Sequence, residues 1–147
     1  MKNQDLGAYA SETARARTER ARAIAAAGGI EQALAKGALP RRIDTTLSES
    51  VVLGLLRQRV TRFLCVLGHG STEIGEVLRI YHGAGLLKTY NVRHETAASH
   101  AAAALRWTTG ERAAVSWCGT SGSSAPATSA HRPGFPTATS RVISSNS

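Results

Sequence analysis

The stretch that decides the fold is residues 90–105, YNVRHETAASHAAAAL. An apolar run leads into it and predicts a strand over Leu86–Val92. Alanine has the highest helix propensity and nothing in the alanine-rich part breaks a helix, so a helix is predicted from Glu95 to Trp107. Glu95 therefore stands in the first turn of a helix, just beyond the carboxyl end of a strand. Open parallel sheets bind ligands at that edge.

The flanking sequence predicts more strands and helices of the same kind. Residues 63–67 form a continuous apolar run, typical of a strand buried on both faces of a parallel sheet. One helix is predicted before it, capped by Thr46 or Ser48, another after it at Thr72–His82, and a third strand at 112–115. The positions expected to face the core are Val51, Val52, Leu55 and Leu56 in the first helix and Ile74, Val77, Leu78 and Tyr81 in the second. This alternation predicts an α/β fold, a partial three-layer parallel sheet over residues 45–115.

The two ends of the chain differ from this middle part. Residues 1–44 predict a helical N-terminal extension with helices at 11–27, capped by Ser11, and at 30–36. Because the first helix has few large apolar residues, we expect it to be mainly solvated; the alternative is an arm that packs against another domain or subunit. Residues 116–147 are rich in Ser, Thr, Pro and Gly and contain no acidic residue, which predicts a disordered tail.

Two motifs in residues 46–115 resemble a known family. Residues 93–102 read Arg-His-Glu-x-x-Ala-x-x-x-Ala, and residues 109–115 read Thr-Gly-Glu-Arg-Ala-Ala-Val. Together they resemble the N-terminal pyrimidine-binding domain of thiamine-diphosphate-dependent enzymes, such as acetolactate synthase, benzoylformate decarboxylase and the dione hydrolase of inositol breakdown. The resemblance implies carbon–carbon bond cleavage or formation next to a carbonyl, or hydrolysis of a cyclic dione.

The resemblance also implies roles for particular residues. Glu95 matches the glutamate whose carboxyl group hydrogen-bonds the cofactor's aminopyrimidine, and it is the candidate catalytic and cofactor-binding residue. The loop after the first strand and the residue before Glu95 supply candidate substrate contacts, namely His69, Gly70, Ser71 and His94. The alternatives are that Glu95 only stabilises the start of a helix and that residues 68–71 are a glycine turn closed by Ser71.

The sequence also departs from the family. The family's loop proline is missing, and no Gly-Asp-Gly occurs, so the ligands for the magnesium ion that holds the diphosphate are absent. The family pattern is lost after Val115, which suggests a truncated domain through a reading-frame shift or a gene remnant. We therefore expect a fragment, inactive alone, that needs a homodimer partner subunit and acts on a small-molecule substrate. The alternative is a non-catalytic α/β interaction module or gene remnant.

Composition and spacing exclude several other classes. The net charge of +8 is spread along the chain and aromatic residues make up only 5%, which argues against a nucleic-acid surface. The longest apolar run is too short for a membrane span. The two cysteines form no disulfide framework, which predicts a protein of the reducing cytoplasm. His94 and His100 are six apart, so no metal site is predicted, and the Gly68-x-Gly70 spacing is not that of a dinucleotide-binding loop.

Overall fold

The computed structural model describes residues 3–117, which form five α-helices and one three-stranded parallel sheet. In chain order these elements are α1 (Asn3–Ala27), α2 (Ile30–Ala35), α3 (Leu47–Arg57), β1 (Arg62–Val66), α4 (Thr72–Gly83), β2 (Lys88–Asn91), α5 (Glu95–Thr109) and β3 (Ala113–Trp117). A short 3-10 turn, His69–Ser71, joins β1 to α4. The mixed α/β class and the parallel sheet predicted from the sequence are confirmed.

The sheet has the strand order β2-β1-β3, with β1 parallel to both neighbours. In β3 the structure corrects a predicted boundary. Ser116 and Trp117 pair with β1 opposite Cys65 and Val66, so they belong to the sheet and not to the tail. The rest of the predicted tail, residues 118–147, lies outside the described residues.

The central strand β1 is buried on both sides, as its apolar run predicts. Phe63 and Cys65 belong to the main hydrophobic cluster together with Val77 and Tyr81 of α4. Leu64 points to the opposite face because side chains alternate along a strand, and it is buried too. Helix α5 packs against β1 and β3. The neighbouring strand β2 differs, since most of its side chains are exposed.

Helix α1 corrects the expectation of a solvated extension. Ala21 and Ile24 have no exposed surface, and the helix packs against α2 and α4. Alanines on this face let the neighbouring helices come close, so burial needs few large side chains. The helix already begins at Asn3, so Ser11 lies inside it and does not cap it. Within residues 3–117 no helix is both long and apolar enough to cross a membrane.

In helix α3 the predicted cap is confirmed, and one predicted core position is wrong. The side chain of Thr46 accepts a hydrogen bond from the backbone N–H of Glu49, as expected of an N-cap residue. Val51 is exposed, whereas Leu53 is buried. The helix is therefore rotated relative to the predicted stripe, because its partners include α2 as well as α4.

Candidate functional site

The two segments predicted to form the site leave the sheet from adjacent strands at the same edge. The backbone N–H of Val92 donates to the carbonyl of Cys65 over 2.9 Å, which fixes the carboxyl ends of β1 and β2 side by side. The turn at residues 68–71 follows β1, and Arg93-His94-Glu95 follows β2. Both segments therefore begin at the carboxyl ends of parallel strands, the edge at which open α/β sheets in general bind ligands.

Glu95 is the first residue of α5, and its side chain is exposed. His94 stands at the N-cap in an extended conformation and makes no capping bond through its side chain. Its carbonyl accepts from the N–H of Ala98 over 3.0 Å, which closes the first turn. Within residues 3–117 no ion pair involves the Glu95 carboxylate. The helix dipole favours a negative charge at this position, and the carboxylate is exposed to solvent.

The turn after β1 is held by Ser71. Its hydroxyl accepts from the N–H of Gly68 over 2.9 Å and donates to the carbonyl of Gly68 over 3.1 Å. Ser71 is only 5% exposed, whereas Gly70 is exposed. The backbone of His69 forms part of the same turn. These bonds give Ser71 a part in closing the turn, and its contact with a substrate stays a prediction, as do those of His69, Gly70 and His94.

A groove of about 810 Å³ opens beside this edge, between α4 and β2. One wall is a single face of α4, which includes Gly75, Arg79 and His82, and the other wall is β2. Gly68 and Ser71 line it as well, whereas Glu95 does not. The groove therefore shares the turn with the predicted site but extends away from Glu95.

A buried carboxylate, Glu49, is the polar centre that the sequence did not reveal. It is 1% exposed and lies between three polar side chains. Arg20 binds its Oε1 through Nη1, the hydroxyl of Tyr81 donates to the same oxygen over 2.8 Å, and Arg17 Nε lies 3.5 Å from Oε2. The buried charge is thus paired and hydrogen-bonded, which is the condition for keeping a charge inside a protein.

Arg17 makes two further contacts with α3 and α4. Its Nη2 donates to the Thr46 hydroxyl over 3.1 Å and lies 3.7 Å from Glu73 Oε1. Its buried Nε makes an ion pair with Glu49 but no hydrogen bond in the described part of the chain. The cluster connects α1, α3 and α4, so its role is to hold the helices together.

Burial also changes the acidity of two groups near the core. Desolvation, followed by the negative charge of Glu49, raises the pKa of the Tyr81 hydroxyl well above its usual 10.0. Desolvation likewise raises the pKa of the Cys65 thiol, which leaves it a poor nucleophile.

The sequence does contain one signal for the cluster around Glu49. The residues Arg17, Arg20, Ala21 and Ile24 fall on one face of α1.

Among residues 3–117 no group of three or more His, Cys, Asp and Glu side chains is placed to hold a metal ion. Comparison of the chain with protein-family models, with curated proteins and with solved structures found no match.

Proposed function

We propose that this chain is the incomplete pyrimidine-binding half of a thiamine-diphosphate site, with Glu95 as the residue that contacts the aminopyrimidine. In this proposal residues 45–117 form part of a domain with helices on both faces of its sheet. A homodimer partner subunit would complete the site. The activity would be carbon–carbon bond cleavage or formation, or hydrolysis of a cyclic dione, on a small-molecule substrate.

One observation carries the proposal. Glu95 is exposed at the first turn of α5, at the edge where a glycine-containing turn leaves the adjacent parallel strand. A carboxylate in this position can accept a hydrogen bond from a protonated ring nitrogen of a heteroaromatic ligand. Ala97, exposed in the same turn, has a small side chain that leaves room for a flat ring to come close.

The chain's own residues suit the aminopyrimidine end of the cofactor only. Glu95 would hold and orient the ring through a charge-assisted hydrogen bond. His94 and the turn at 68–71 would border the substrate. When bound, thiamine diphosphate supplies a nucleophilic carbon for addition to a carbonyl group. Among residues 3–117 no group of three or more His, Cys, Asp and Glu side chains is placed to hold the metal ion that would bind the diphosphate. In an enclosed site the bond to Glu95 would strengthen because water is excluded, and the enclosing surface would come from the partner subunit.

Nuclear magnetic resonance titration of the labelled chain with thiamine diphosphate and Mg²⁺ tests the proposal without any need for turnover. With a single anchoring group we expect weak binding, with a dissociation constant of about 1 mM or higher. The backbone signals of residues 93–98 should shift.

Glu95→Gln should abolish these shifts, because the neutral amide loses the charge-assisted bond. Glu12→Gln is the matched control, since Glu12 is also an exposed helical glutamate but lies on α1. Shifts that persist in Glu95→Gln, or that map only to other elements, would contradict the proposal.

A further inference from the structure

We propose that the outer edge of β2, together with the groove beside α4, binds an extended acidic peptide of another protein as an added β-strand. This inference does not rest on the cofactor proposal. It rests on three features of the described residues: a free backbone edge, a groove with apolar residues at that edge, and unpaired positive charges at both ends of it.

The backbone of β2 offers hydrogen-bonding groups on its outer side. The N–H groups of Lys88 and Val92 donate to the carbonyls of Thr61 and Cys65, toward β1. Because the direction of these groups alternates along a strand, Thr89 and Asn91 point outward. The Thr89 N–H donates to His82 Nδ1 over 3.2 Å, which covers that end of the edge. In the part of the chain that the structure describes, the outward backbone groups of Asn91 are therefore the ones open to an added strand.

Apolar side chains flank this edge on both faces of the sheet. Leu67 is 51% exposed and lines the groove, close to Gly75 of α4. Tyr90 is 41% exposed and projects from the other face of β2, in register with Leu64. An added strand has side chains on alternate faces, so it would cover Leu67 with one set and Tyr90 with the other.

The charges beside the edge indicate which kind of peptide would bind there. Lys88 and Arg93 are exposed, lie about 17 Å apart along an extended chain, and pair with no carboxylate within residues 3–117. Arg79 and Glu76 on the groove wall neutralise each other over 2.6 Å. The uncompensated charge is thus positive at both ends of β2, which favours a peptide with acidic residues about five positions apart.

A second copy of this chain fits the edge less well. Each copy carries a net charge of +8, and pairing of two β2 edges would bring four unpaired cations, Lys88 and Arg93 of each copy, to one junction. Like charges across paired strands are destabilising. An acidic segment of a different protein has complementary charge and needs no such juxtaposition.

Binding of two end-blocked peptides to the full chain tests the proposal, with affinity measured by isothermal titration calorimetry. The acidic probe is Glu-Ile-Thr-Val-Thr-Glu and the matched basic probe is Lys-Ile-Thr-Val-Thr-Lys. We expect the acidic peptide to bind at least about 10-fold more tightly, and the double variant Lys88→Glu/Arg93→Glu to reverse this preference.

Asn91→Pro tests the backbone contact. It removes an outward N–H but no bond to β1, so the edge strand tolerates it. We expect it to weaken binding of the acidic peptide by about 10-fold, whereas Asn91→Ala, which keeps the N–H, should bind normally.

Three results would overturn the proposal. The first is equal affinity for the two peptides, and the second is an unchanged affinity in Asn91→Pro. The third is a concentration-dependent dimer in sedimentation that Asn91→Pro dissociates, because this would assign the edge to a second copy. If Asn91→Pro fails to fold by circular dichroism, the charge-reversal variant decides alone.

Discussion

Glu49 and Glu95 are the same residue type in the same local position, the first turn of a helix, yet their surroundings are opposite. Glu49 is buried between two arginines and a tyrosine, and Glu95 is exposed without an ion pair in the described part of the chain. The first is engaged in holding α1, α3 and α4 together. The second is exposed at the edge of the sheet where the turn after β1 and the start of α5 lie side by side.

Position in the first turn of a helix therefore does not by itself decide whether a glutamate is buried among partners or exposed. What separates Glu49 from Glu95 is the set of partners supplied by other elements. The partners of Glu49 lie 29 and 32 residues away along the chain. Replacing Glu49 by glutamine therefore tests a contribution to stability, whereas replacing Glu95 by glutamine tests the proposed binding.

Glu49→Gln should have the largest effect on stability. The amide keeps the size of the side chain but leaves the buried charges of Arg17 and Arg20 without their counter-ion. Loss of one member of a buried pair costs about 3–5 kcal/mol of unfolding free energy. Urea denaturation followed by circular dichroism measures it, and a loss below about 1 kcal/mol, the scale of an exposed pair, would remove the contrast with Glu95.

Tyr81→Phe should come next. The hydroxyl donates to the Glu49 carboxylate, and hydrogen bonds to charged groups contribute about 1.5–3 kcal/mol. Phenylalanine fills the same space, so the loss measured by denaturation reports the hydrogen bond and not a cavity. An unchanged stability would show that the two arginines satisfy Glu49 without Tyr81.

The same residue predicts a dependence on alkaline pH. The pKa of Tyr81 is raised in the folded chain, so the folded state holds this proton at pH values where the unfolded state has lost it. The stabilisation is complete below about pH 10 and declines as the pH rises further. Denaturation between pH 8 and 12 should show a shallower decline in Tyr81→Phe than in the unchanged protein. Equal slopes would assign the decline to other groups, such as Cys65, whose pKa is also raised.

The edge of the sheet was predictable from the sequence because its signals are local. The apolar run of β1, the cap at Thr46 and the start of α5 at Glu95 all depend on neighbouring residues and were found correctly. The burial of α1 was not, because it depends on the close approach of alanines to distant helices. The burial of Glu49 was not predictable either, because its own helix turn contains no information about Arg20 or Tyr81.

Gly54→Ala measures a purely local effect on stability, the helix propensity of one position in α3. Gly54 lies inside α3, and a Cβ atom there would meet nothing within 4 Å. Alanine should raise the unfolding free energy by about 0.5–1 kcal/mol through helix propensity alone. Thermal denaturation measures this gain, and a decrease would indicate that α3 is packed more tightly at this position than the contacts show.

Glu95→Gln should have the smallest effect on stability. The carboxylate is exposed, so the substitution removes only its interaction with the helix dipole, about 0.3–1 kcal/mol. Denaturation of this variant beside Glu49→Gln gives the contrast directly. A loss as large as that of Glu49→Gln would mean that Glu95 is structural too.

A transferred nuclear Overhauser measurement between thiamine diphosphate and the chain tests the proposed role of Glu95 most directly, because it detects contact itself. We expect cross-relaxation between the methyl protons of the pyrimidine ring and protons of Glu95 and its neighbours in the first turn of α5. The signal should disappear in Glu95→Gln and persist in Glu12→Gln. No cross-relaxation at Glu95, or a signal that survives Glu95→Gln, would contradict the claim that this carboxylate binds the cofactor.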